Sequence, residues 1–144
     1  MMRRLVATIA ALVVGAATAV AADSPLGAWK TVDEKSGKTV SEVQVYDQGG
    51  KLFGKIVRLT EPTDANGKPK LCTKCQGADK DQPIVGLIIL KGLSADGDRY
   101  KGGTITDPED GKVYKSELWR EGDTLRVRGY LGVFYRTQTW QKGN

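Results

Sequence analysis

From residue 27 onward the chain alternates apolar and polar positions in short runs of period two. Each run ends in a cluster rich in Gly, Asp, Ser, Glu or Gln. No window of a dozen residues keeps an i, i+3, i+4, i+7 apolar stripe free of glycine, so no helix is predicted. The pattern predicts eight strands, over residues 27–33, 38–46, 51–60, 83–93, 99–106, 112–120, 124–131 and 133–141. One long polar segment, 61–82, separates the third strand from the fourth. Every other connection is short enough for an antiparallel hairpin. A meander of this kind must close or hide its edge strands. Eight is the strand number at which an antiparallel sheet closes around side chains or one small ligand. The expected fold is therefore all-β, a single antiparallel up-and-down barrel of about eight strands with one long loop. A two-layer sandwich is the alternative.

Composition sharpens the turns. Glycine supplies 18 of 144 residues, well above the usual share of about 7%. Gly-Lys recurs at 37–38, 50–51, 67–68 and 111–112. The spacing Asp33-x3-Gly37-Lys38 matches Asp107-x3-Gly111-Lys112, which reads as one turn design used twice. Apolar residues at 40% and charged residues at 27% describe a folding chain, not a disordered one.

The chain contains no histidine. That removes Ser-His-Asp and Cys-His catalysis, histidine-ligated metals and histidine pH switches. No catalytic constellation, cofactor or metal site is expected, and the chain is read as a binder, not an enzyme.

The first 22 residues read as an address. Met1-Met2-Arg3-Arg4 is basic, the next stretch carries no charge, and Ala19-Val20-Ala21 offers a small-residue cleavage site. This is the three-part pattern of a secretory signal peptide, which places the domain 23–144 in the periplasm or outside the cell. A membrane anchor is the rival for that segment. Nothing later is long and apolar enough to span a bilayer. The formal net charge is +5, and loss of Arg3 and Arg4 with the leader lowers it by two. Charges of both signs are interspersed, so no nucleic-acid partner is expected.

Cys72-Thr73-Lys74-Cys75 is the only cysteine pair. In an oxidising compartment a disulfide staple is expected. A redox-active pair is the alternative, although the sequence after Cys75 lacks the helix such motifs use.

The last two strands concentrate the candidate chemistry. In the last, Phe134, Arg136, Gln138 and Trp140 share one face, and Tyr135, Thr137 and Thr139 the other. In the strand before it, Arg126, Arg128 and Tyr130 oppose Leu125, Val127 and Leu131. Arginines turned inward would grip an anionic head group. Turned outward, they are cross-strand surface residues. The alternation does not say which.

Gly27-Ala28-Trp29 resembles the opening G-x-W of lipocalins. That resemblance implies a Trp closing the barrel base with an Arg packed on its ring. Arg136 is the first candidate for that partner and Arg128 the second. A longer resemblance runs through Pro25–Thr31, Gly50–Val57, Cys72–Cys75, Asp81–Leu87, Asp107–Tyr114, Val127–Gly132 and Arg136–Trp140. Over these stretches the chain is similar to a family of small secreted bacterial proteins classed only as a domain of unknown function. The resemblance implies export and a lipocalin-like β-barrel, and no established activity. Tyr135 stands where the family pattern has Gly before the Arg, and is expected to narrow or reshape that end of the barrel.

The functional expectation is a small apolar or fatty-acid-like ligand in the lumen. Trp29, Tyr46, Arg128, Tyr130, Arg136, Gln138 and Trp140 are the binding candidates, with Ile56, Ile88 and Trp119 in the walls. Arg128 or Arg136 would orient a carboxylate. The alternative is a ligand-free envelope interaction or structural protein acting through its surface and the 61–82 loop.

Overall fold

In a computed structural model, which describes residues 10–11 and 24–143, the chain forms one closed antiparallel barrel. The predicted leader falls almost wholly outside the described residues. The strands are β1 (Gly27–Val32), β2 (Thr39–Gln48), β3 (Lys51–Leu59), β4 (Ile88–Asp96), β5 (Arg99–Thr106), β6 (Val113–Glu121), β7 (Thr124–Leu131) and β8 (Phe134–Lys142). Each strand pairs with the next, and β8 returns to β1. The sandwich alternative is thereby excluded. The only helical element among the described residues is a 3-10 turn at Gly77–Asp79.

Residues 83–87, expected to begin the fourth strand, belong instead to the long loop. Gly86 N–H and the Leu87 carbonyl bond to Ile56 just before β4 begins, with Leu87 N–H turned back onto the Ile84 carbonyl. The strand also runs further than expected, to Asp96, because it carries a bend at Gly92, whose φ of 70° is open to glycine.

The turn repeat is a structural one. Asp33 N–H bonds the Lys38 carbonyl and Gly37 N–H bonds the Asp33 carbonyl, at 2.9 and 2.7 Å. Asp107, Lys112 and Gly111 repeat this at 2.9 and 2.8 Å. Each Asp side chain also accepts a hydrogen bond from the backbone two residues on.

Register places the inner face. Trp29, Val43, Val45, Leu52, Ile56, Leu90, Leu93, Leu118, Leu125, Val127 and Trp140 form the buried core. They fill the barrel from the β2–β3, β4–β5 and β6–β7 turns upward, and Cys72, Cys75, Leu87 and Ile89 continue the buried core under the long loop. The other end, the mouth, is ringed by the β1–β2, β5–β6 and β7–β8 turns and by the long loop.

That loop is pinned at the mouth by Cys72 and Cys75. The two form a disulfide, and both are buried, at 0% and 2% exposure. The Cys72 sulfur packs 3.7 Å from the Pro108 carbonyl. Gly111, at φ 72°, lies so close that a Cβ there would overlap the Lys74 carbonyl. Glycine is therefore required twice over at this position, by the turn and by the docked loop.

Candidate functional site

The barrel closes unevenly. Adjacent strands share ladders along most of their length, but β1 and β8 pair only at Trp29↔Lys142 and Lys30↔Gln141. Both pairs lie at the base. Above them the seam between β1 and β8 is bridged by an ion pair, from Arg136 Nη2 on β8 to Glu34 Oε2 in the β1–β2 turn, at 2.6 Å.

This seam explains the exposure along β8. Trp140, Gln138 and Arg136 share the inner face, because their partners on β7 are Leu125, Val127 and Gly129. Trp140 is buried, yet Gln138 and Arg136 are exposed. Within four residues the lumen passes from a filled base to an open mouth. At the mouth a hollow of about 190 Å³ is lined by Tyr114, Gly129, Leu131, Phe134, Tyr135 and Arg136. Gly129 leaves this wall free of a side chain, and a Cβ there would touch Tyr114 at 3.4 Å.

The polar groups at the mouth are oriented. Tyr114 donates its hydroxyl to Asp110 at 2.8 Å, and this bond is the first cause raising the Tyr114 pKa above its usual value. The bond to Glu34 likewise raises the Arg136 pKa, so its guanidinium is charged at every accessible pH. Glu34 is the one hydrogen-bond partner of Arg136 among the described residues, so most of its donor fork faces solvent. Gln138 accepts from Trp140 Nε1 at 3.1 Å through Oε1, which leaves its amide N–H₂ without a protein partner among the described residues. Arg136 and Gln138 thus present free donors about 7 Å apart along one face of the strand.

The base is arranged for closure. Trp29 donates Nε1–H to the Pro25 carbonyl at 2.8 Å. The guanidinium of Arg120 sits 5.4 Å from the Trp29 ring centroid and bonds the Ser24 and Gly122 carbonyls, both at 2.8 Å. The arginine on this Trp is therefore Arg120, not Arg136 or Arg128. Sequence reasoning missed it, although alternation places Arg120 on the same face as Leu118.

The predicted binding set divides into three. Trp29 and Trp140 are buried structural residues of the base. Arg136 and Gln138 line the mouth. Tyr46, Arg128 and Tyr130 are on the outer wall and do not share the lumen with the others. Tyr46 stacks on Phe53, ring centroids 5.9 Å apart, on the face opposite Val45 and Leu52. Ile88 and Trp119 also lie outside; only Ile56 of the three expected wall residues is in the core.

On that outer wall Arg128 and Arg99 flank the Trp119 ring, at 4.9 and 4.0 Å from its centroid. Glu117 accepts from Arg99 at 2.6 Å and from the Tyr130 hydroxyl at 2.8 Å. Burial pushes the Glu117 carboxyl up, but these bonds outweigh it and hold its pKa below the usual value. Tyr135 joins the same wall, with the Arg128 guanidinium 4.2 Å from its ring. Its ring packs on the outer wall and not inside the lumen, and the residue borders the mouth hollow only at its rim. Tyr114, Phe134 and Glu34 are mouth residues that sequence reasoning did not select. Phe134 had a legible signal, since it shares a face with Arg136.

A larger hollow, about 370 Å³, lies outside the barrel between the long loop and β4. Lys91 and Asp79 form an ion pair at 2.9 Å beside it. No cluster of potential metal-ligating side chains occurs among the described residues. No helix among them is long and apolar enough to cross a membrane.

Residues 27–142 match the model of a family described as an uncharacterised protein conserved in bacteria (DUF2147), and the chain belongs to that family. Among solved structures it is similar to protein HP1028 from the human pathogen Helicobacter pylori, which is described as belonging to the lipocalin family. The two share 20% identity over 84% of each chain, with a TM-score of 0.69. The fold is thus lipocalin-like. No curated protein matches the chain.

Proposed function

We propose that the protein is an exported binding protein that holds a small ligand with an anionic head at the barrel mouth. Arg136 is the charge partner of that head, Gln138 a second donor, and Phe134 and Tyr114 the apolar and aromatic walls. The single observation behind this reading is the change along the inner face of β8, from buried Trp140 to exposed Gln138 and Arg136. Lipocalin-like barrels suit small ligands, and a planar donor fork suits a carboxylate or phosphate.

The hollow is smaller than the 300–1,000 Å³ of typical ligand clefts. It suits a head group or a short acid, with the buried core side chains packed below it. This narrows the fatty-acid-like expectation to the short end of that class. Binding is the reading, because the mouth offers donors and walls, and the Tyr114 hydroxyl paired with Asp110 has its pKa raised, away from an activated nucleophile.

Titration with a dansyl-labelled eight-carbon carboxylic acid tests this. Saturable fluorescence is expected, with affinity reduced about tenfold in Arg136→Ala, the loss of one charge-assisted contact. Absence of saturable binding, or equal affinity in the variant, would overturn it.

A second reading is supported by the filled base: a ligand-free protein that acts through its surface and the 61–82 loop. The buried disulfide serves there as a staple, since redox-active pairs need an exposed attacking thiol. Retention of the same partners after shortening the loop would remove this reading.

A further inference from the structure

The β7–β8 hairpin carries the most exposed large apolar side chains of the described residues. Val133 is 88% exposed and Phe134 77%, with Leu131 and Tyr135 beside them also exposed. Register explains why. The last rung between β6 and β7 is Lys115↔Tyr130, whereas β7 and β8 stay paired as far as Leu131↔Phe134. On the other side β1 meets β8 only at Gln141 and Lys142. The hairpin end therefore stands clear of both neighbouring strands. A contiguous exposed apolar patch of this kind marks an interaction surface.

Its surroundings select the partner. Directly beneath the tip, one outward rung holds Lys115, Tyr130 and Tyr135, and the next holds Arg128 with Thr137 and Glu117, the carboxylate of Glu117 being engaged by Arg99 and Tyr130. Lys112, exposed, precedes β6 at the same end. None of Lys112, Lys115 and Arg128 is in an ion pair among the described residues. Stacking on Tyr135 and Trp119, with hydrogen bonds to Thr137 and Tyr130, fixes Arg128 at the foot of the tip. Most acids at this end are engaged: Asp33 and Asp107 by their turns, Asp110 by Lys112 N–H and Tyr114, Glu34 by Arg136. Glu109 and, in the long loop, Asp81 stand exposed without a side-chain partner among the described residues.

An apolar tip with cations behind it is the pattern of an element that sits at a lipid interface. We propose that this hairpin docks on an anionic phospholipid surface. Val133 and Phe134 enter the headgroup region, and Lys112, Lys115 and Arg128 meet lipid phosphates. The tip is too short to cross a bilayer, so attachment is peripheral, reversible and weakened by salt. A second copy of the chain is a poorer partner, because a two-fold contact through the tip brings the same cations together. The proposal goes beyond ligand binding at the mouth and does not depend on it.

Flotation of the purified protein with phosphatidylglycerol-containing vesicles, against phosphatidylcholine alone, tests it. Binding to the anionic vesicles is expected, released by high salt, with little binding to the neutral ones. Val133→Asp with Phe134→Asp is expected to weaken binding about tenfold or more, and Lys115→Glu about fivefold. All three positions are exposed, and circular dichroism checks that the variants fold. Equal binding to both vesicle types, no binding, or undiminished binding of the tip variant would overturn the proposal. So would a concentration-dependent dimer that the tip variant abolishes.

Discussion

The base and the mouth of the barrel use the same strands for opposite ends. At the base, each large inward side chain is enclosed: both tryptophans donate a hydrogen bond, Arg120 covers Trp29, and β1 pairs with β8. At the mouth, the same two strands part. The inward β8 residues Arg136 and Gln138 there are polar, exposed and only partly satisfied, and an ion pair takes the place of the ladder. The difference shows how a small barrel separates a packed end from an end with exposed donors. Packing at one end holds the chain closed, so the other end is free to present unpaired donors.

Substitutions that strike each end should break this division in order of size. Trp140→Ala removes the largest inward side chain on β8 and leaves a cavity. It is expected to cost about 3–5 kcal/mol in chemical denaturation. If it costs under about 1 kcal/mol, the base is not the packed end.

Glu117→Gln comes next, and it probes the outer wall. Losing the charge-assisted bond to Arg99 is expected to cost about 2 kcal/mol. The Glu117 pKa is lower in the folded state than in the unfolded chain. Its contribution is therefore fully present above the usual carboxylate pKa, about 4.3, and is lost as the pH falls through the folded value. Thermal melts from neutral to acid pH should fall more steeply for the native protein than for Glu117→Gln. Parallel curves would show that the pair contributes nothing specific.

Arg136→Ala should have the smallest effect on stability, under about 1 kcal/mol, because its ion pair with Glu34 is solvent-exposed. Under the proposed function its effect falls on ligand affinity instead. A large loss of stability would mean that the ion pair, not the base, holds the seam shut.

Much of the fold was legible in the sequence because period-two alternation and Gly-Asp turns are local. The strand positions, the single long loop and the repeated Asp-x3-Gly-Lys turn all follow from neighbouring residues. The site was legible only in part, because alternation sorts residues into two faces without saying which is inside. Arg128 and Arg136 both sit on strands with mixed faces, and only closure sends one outward and the other inward. The same holds for Arg120, which meets Trp29 across more than 90 residues of chain only once the barrel closes. The open seam has no sequence signature, since it depends on where two strands distant in the chain stop pairing. Tyr135 misled for the same reason: its bulk was visible, its direction was not.

Titration of isotope-labelled protein with octanoate, followed by amide and indole NMR shifts, tests the division between the two ends most directly. Shifts are expected at Tyr114, Gly129, Arg136 and Gln138, with the Trp29 indole signal unmoved. Shifts centred on the Trp29 indole, or no saturable shift at the mouth, would contradict a filled base beneath an open, anion-binding mouth.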